Sequence, residues 1–196
     1  MEDVGLRLIF DDDQVEKLKR LATSSCLEFL GFVMNLDSGK IVDSLRRNGD
    51  VARVEFEVLH VLLKHYANSE PVERNGTLVK FADLPGGYAY EKAFLQRAVL
   101  PVAEAFGEKP ERLVESAERL RGRVLTFGDC SVEIAALPRL PLTIIVWRRS
   151  EFPAQASILY DQTANNYLPT EDLAVLGELT TARLTQALNT STQEKV

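Results

Sequence analysis

Cysteine is scarce in this chain: Cys26 and Cys130 are its two thiols, far apart and outside any C-x-x-C pair. Two thiols complete neither a zinc site nor an iron–sulfur cluster without ligands from elsewhere. They also exclude a disulfide-dense secreted scaffold, and a reducing, cytoplasmic setting is expected. Histidine is equally rare, with His60 and His65 alone. No apolar run approaches the roughly 18 residues of a membrane span. The opening Met-Glu-Asp-Val-Gly has neither the basic start nor the apolar core of a secretory signal. Basic charge is in deficit, 23 Lys and Arg against 29 Asp and Glu, a net −6. Duplex nucleic acid, which attracts a clustered basic surface, is therefore not an expected partner. Also missing are G-x-S-x-G, the Lys-Ser/Thr of a P-loop and the third glycine of a dinucleotide fingerprint.

What remains is a globular composition: 196 residues, 45% apolar and 27% charged, enough apolar surface to offset the entropy of ordering. Leu6, Leu8 and Phe10 alternate as a short strand would. Asp13 with Glu16 three residues on reads as a capping box for a first helix. Leu27–Leu36 and Lys40–Leu45 flank the turn signal Asp37-Ser38-Gly39, which predicts a β-hairpin. A helix with a broad apolar face follows from Asp50 to Asn68, then a short strand over Thr77–Phe81. Another helix spans Tyr88–Phe106, with Pro101 expected to kink or end it. Pro110 suits the first turn of the next, ending near Gly122. Arg112, Arg119, Arg121 and Arg123 interleave with Glu111, Glu115 and Glu118, which reads as a solvated helix face.

From Val124 the period changes to strands: Val124–Phe127, Val132–Ala135, Thr143–Trp147 and Ser157–Tyr160. Their short connections favour antiparallel pairing. Thr170, followed by Glu171 and Asp172, opens a final helix. The expected fold class is α+β, an antiparallel sheet (a C-terminal β-meander) covered by helices. One domain over residues 1–188 is expected, with an N-terminal helix–hairpin lobe, 1–70, packed on it and a polar tail over 189–196.

Three groups of residues can carry chemistry. Gly86 and Gly87 precede a helix, where glycine permits close backbone approach and unpaired amides suit an anion. Tyr88 and Tyr90 would flank such a ligand and Arg97 would supply charge. The same Gly-Gly also makes an ordinary tight turn. The second group is acidic. Asp129, Glu133, Glu151 and Asp161 sit at strand ends or turns, and Glu171 and Asp172 open the last helix; Asp129, Glu151 and Asp161, with His65, are the candidate metal ligands. Turn aspartates and first-turn acids also arise for structural reasons. Thirdly, Trp147 beside Arg148 and Arg149 reads as a stacking platform or as a core tryptophan followed by exposed arginines. Cys130, after Gly128-Asp129, is a thiol with no adjacent group that lowers its pKa.

The segments Leu84-Pro-Gly-Gly-Tyr-Ala-Tyr, Phe127-Gly-Asp, Leu137-Pro-Arg-Leu-Pro-Leu, Glu151-Phe-Pro, Ile158-Leu-Tyr-Asp and Tyr167-Leu-Pro-Thr-Glu-Asp-Leu-Ala occur in this order. With them the chain, from His65 to Leu184, resembles a prokaryotic family of domains of unknown function from anaerobes. The resemblance implies a domain that stands alone or follows a small iron–sulfur domain, near corrinoid or one-carbon metabolism, with no established activity. It departs from the family after Trp147, where Arg148, Arg149 and Ser150 replace acids. The function expected is a cytoplasmic binding or accessory protein for a small anionic ligand or cofactor, or one docking on a redox or corrinoid partner. A metal-assisted hydrolase or lyase built on the carboxylates, and a structural interaction domain, are the alternatives.

Overall fold

Asp11 opens the first helix in the computed structural model, which describes residues 6–193. Its carboxylate accepts the Gln14 N–H at 2.8 Å, and Gln14 Oε1 accepts the Asp11 N–H at 3.3 Å. This reciprocal cap starts α1 (Asp12–Ala22). Asp13, expected as the cap, lies inside the helix and pairs with Lys17 at 2.7 Å. The strand expected over Leu6–Phe10 is reduced to an isolated bridge between Arg7 and Lys40.

The segment Leu27–Leu36, read as one strand, is two. Strands β1 (Cys26–Phe29) and β2 (Phe32–Asn35) are joined by Leu30 and Gly31, at φ +48° and +78°. Two successive left-handed residues give the tight reversal that suits the twist of paired strands. The turn at Asp37-Ser38-Gly39 then leads, as expected, into β3 (Ile41–Asp43), and β1-β2-β3 form an antiparallel sheet. Helix α2 (Arg53–Ala67) begins three residues later than expected and buries Leu59, Leu62, Leu63 and Tyr66.

Strand β4 (Leu78–Lys80) precedes a long helical path: α3 (Gly87–Phe94), a π turn (Leu95–Val99) and α4 (Leu100–Phe106). Pro101 does not end this path. It has no N–H for the carbonyl four residues back, and the widened turn just before it takes up the misfit. Helix α5 (Glu111–Arg119) follows Pro110.

Strands β5 (Arg123–Leu125), β6 (Cys130–Leu137), β7 (Leu140–Trp147) and β8 (Gln155–Asp161) make the expected antiparallel meander, with β4 added beside β8 in the order β4-β8-β7-β6-β5. In β7 five successive residues, Leu142–Val146, are buried, so both faces of the central strand are covered. Helix α6 (Thr170–Gln193) crosses the assembly, packs on α5 and buries Leu173, Leu176, Leu184 and Leu188. The fold is α+β. Buried side chains from Leu8 in the N-terminal part to Leu188 in α6 belong to one hydrophobic cluster. No helix among the described residues is long and apolar enough to cross a membrane.

Candidate functional site

The glycine turn is occupied by its own chain. The Gly87 N–H donates to the Leu84 carbonyl at 2.8 Å, and the Ala89 N–H reaches the Gly86 carbonyl at 3.3 Å. Thr170 Oγ1 donates to the Pro85 carbonyl at 2.7 Å, which ties the turn to the start of α6. Gly86 sits at φ +76°, and a Cβ on Gly87 would overlap the Phe81 carbonyl oxygen. Both glycines thus have a conformational or packing reason to be there. Tyr88 and Tyr90 are 81% and 52% exposed. Arg97 lies in the π turn, facing a different hollow of about 490 Å³ against α6, where its guanidinium stands 3.8 Å from Glu178. Neither tyrosine lines that hollow.

The carboxylates separate too. Asp129 lies at the β6 end of the meander and accepts the Arg148 N–H at 2.7 Å. Asp161 ends β8, two strands across and six residues along the paired strands, which is roughly 20 Å in the strand direction alone. Its Oδ1 accepts the Thr163 hydroxyl at 2.7 Å and N–H at 3.0 Å, and its Oδ2 the Gly76 N–H at 2.9 Å. Burial alone would push this carboxyl up; those hydrogen bonds, with Arg74 nearby, outweigh it and hold the pKa below the usual aspartate value. Glu151 is exposed in the β7–β8 connection. His65 Nδ1 contacts Asp172 Oδ2 in the first turn of α6, a pairing invisible in sequence across 107 positions. Among the described residues no three His, Cys, Asp or Glu side chains gather to hold a metal ion. Burial, with Glu111 nearby, pushes the Cys130 thiol up, away from the reactive thiolate. Arg148 and Arg149 pair with Glu111 at 2.9 Å and Glu108 at 2.8 Å.

A different constellation forms where β3, α5 and α6 meet. Arg183 of α6 and Asp43 of β3 are both fully buried. The guanidinium donates to both Asp43 oxygens, at 2.7 and 2.5 Å, to the Leu30 carbonyl at 2.8 Å and to Gln186 Oε1 at 2.8 Å. Its central carbon lies 4.1 Å from the centre of the Phe32 ring. Arg46 continues the network, with Nε 3.1 Å from Asp43 and Nη2 2.7 Å from Glu55. Two cations thus face two carboxylates, which offsets their desolvation.

Above this network opens a cavity of about 380 Å³, lined by Ser44, Leu45, Arg46, Arg47, Asn48, Arg119 and Thr190. Among the described residues three arginines and no carboxylate line it. Arg46 is spent on Asp43, Glu55 and the Asp50 carbonyl. Arg47 is exposed and makes no hydrogen bond or ion pair among the described residues. The sequence pattern does not disclose this cleft: Arg119 reads there as part of a solvated face. The available signal was the Arg46-Arg47 pair placed in a turn.

A family model described as a domain of unknown function (DUF3786) matches residues 17–183. The chain belongs to this family. The DUF3786 match takes in both partners of the buried pair, Asp43 and Arg183, together with Arg46, Arg47 and Arg119. No curated protein and no solved structure matches the chain.

Proposed function

We propose that this DUF3786 domain is a binding protein for a small oxyanion, and that the ligand seats in the arginine cleft rather than at the Gly86-Gly87 turn. The observation that carries the reading is Arg47: a guanidinium that has no partner among the described residues, at a concave surface that two other arginines line. A guanidinium is a planar fork of donors that matches carboxylate and phosphate oxygens. In a chain of net charge −6, the Arg47 guanidinium is a local positive charge that draws an anion in. The Ser44 and Thr190 hydroxyls already donate to the Gly31 and Gln186 carbonyls, at 2.6 and 3.1 Å, so the guanidinium is the donor that the cleft offers an anion. The setting is cytoplasmic, and the role is accessory: a carrier or sensor serving a redox or corrinoid partner protein, as the resemblance of the sequence implies.

Titration calorimetry with inorganic phosphate at low salt tests the reading. Binding in the millimolar range or tighter is expected, weakening with added salt as an exposed ionic contact must. Arg47→Ala should weaken it by about tenfold, or about 1.4 kcal/mol, while Arg97→Ala leaves it unchanged. No binding to the wild-type protein, or equal loss in both variants, overturns the placement.

A further inference from the structure

Resting on that reading of the cleft, we propose that the site is bipartite and that its ligand is an organic oxyanion: a phosphate or carboxylate head joined to an uncharged body. A second cavity, of about 220 Å³, adjoins the first and shares Ser44 and Arg119 with it. The chemistry of its walls differs. Phe29, Leu30, Phe32, Val33, Leu120 and Ala135 contribute to them, and its other charged residues are Glu28 and Arg121, which pair with each other. Apart from the shared Arg119, the charges on its described walls are this balanced pair, and an apolar group that enters the second cavity gains by leaving water. Side by side the two hollows reach the size of ordinary small-molecule sites, apolar with a few placed polar groups.

The wall between them is held rigid before any ligand arrives. Leu30 is fully buried at φ +48°, a conformation a leucine rarely holds. It is fixed there by its buried side chain and by Arg183, whose Nε donates to its carbonyl at 2.8 Å. The next carbonyl, of Gly31, accepts the Ser44 N–H at 2.8 Å and the Ser44 hydroxyl at 2.6 Å. Ser44 thus stands at the junction of the two hollows and is locked to the turn. Strain held by surrounding structure is a mark of sites that are shaped in advance, and a preformed wall lowers the ordering cost of binding.

The test compares inorganic phosphate, phenyl phosphate, benzoate and phenol by calorimetry on the full chain. Phenyl phosphate is expected to bind at least tenfold tighter than inorganic phosphate, benzoate to bind measurably, and phenol not at all at the same concentrations. Ala135→Phe fills the second cavity from an exposed strand position. It should bring phenyl phosphate down to the affinity of inorganic phosphate without changing the latter, and Ala135→Leu should give an intermediate loss. Equal binding of phosphate and phenyl phosphate to the wild-type protein overturns the bipartite site and leaves the anion cleft standing. So does an equal loss of both in a folded Ala135→Leu protein. Absence of phosphate binding overturns both.

Discussion

Arg183 and Asp43 lie 140 positions apart and meet as a two-pronged ion pair with both side chains wholly out of solvent. The pair joins the last helix to the third strand, and through the Leu30 carbonyl it also holds the β1–β2 turn. A buried pair is no large net gain over apolar residues of the same shape, because both charges have left water. Removing one partner is another matter. Arg183→Met is expected to destabilise the fold by about 3–5 kcal/mol, since Asp43 stays buried with less to neutralise it. Asp43→Leu alone should cost a similar amount, and the double replacement should recover part of it. Urea unfolding of the four proteins gives the coupling energy, and strict additivity would show that the pair does not act as a unit.

Gly86 and Gly87 separate two reasons for a glycine. Around Gly86 there is open space but a positive φ, whereas at Gly87 the Phe81 carbonyl fills the room a Cβ would need. Gly86→Ala is expected to cost about 1–2 kcal/mol through backbone strain alone, with Gly86→Asn milder. Gly87→Ala should cost about 3 kcal/mol or more, because backbone must move to admit the methyl group. Thermal unfolding ranks the three. The reverse order would mean that the turn relaxes, and that its backbone is freer for a ligand than the hydrogen bonds indicate.

The two halves of the chain differ in how much of them the sequence discloses. In the C-terminal meander, alternation and turn residues agree: Gly128-Asp129 opens β6, Pro138 and Arg139 lie in the β6–β7 turn, and each strand was legible. The hairpin at Leu30-Gly31 was not, because a leucine at the first left-handed position lacks the Asn-Gly or Asp-Gly signature. What makes that turn possible is Arg183, an input no local pattern contains. The cleft was hidden for the same reason. Its arginines come from a β3–α2 connection and the end of α5, and only the tertiary fold brings Arg47 and Arg119 to one hollow. The Gly86-Gly87 reading had a sound premise, that a helix start offers free amides, but the Leu84 carbonyl had already taken the Gly87 amide.

Asp161 should make the β4–β8 end of the sheet sensitive to acid. Its pKa is lowered in the fold, so the stability it contributes is complete above the unfolded value of about 3.9. That contribution is lost as pH falls through the lower, folded value. Asp161→Asn turns an acceptor into an amide that cannot satisfy the Thr163 and Gly76 donors together, at a cost of about 1.5–3 kcal/mol near neutrality. Urea midpoints from pH 7 downward are expected to show a constant gap between the two proteins above about pH 5 and a closing gap below about pH 4. A gap that persists unchanged in acid would assign the loss to packing rather than to charge.

Gly31 ties the fold to the cleft. It sits at φ +78°, and a Cβ there would lie 3.0 Å from Arg183 Nη2, 3.1 Å from Leu45 Cγ and 3.3 Å from a Leu120 methyl. Gly31→Ala therefore strains the backbone and presses on the buried guanidinium, on Leu45 beside the anion cleft and on a wall of the second cavity. About 1–3 kcal/mol of stability should be lost. If the turn shapes the site, phenyl phosphate binding should fall by more than that of inorganic phosphate, because the head is held by Arg47 on the far side of Ser44. Calorimetry below the unfolding range of the variant separates the two effects. An unchanged phenyl phosphate affinity in a destabilised Gly31→Ala protein would show that the turn supports the fold without forming part of the ligand's surface.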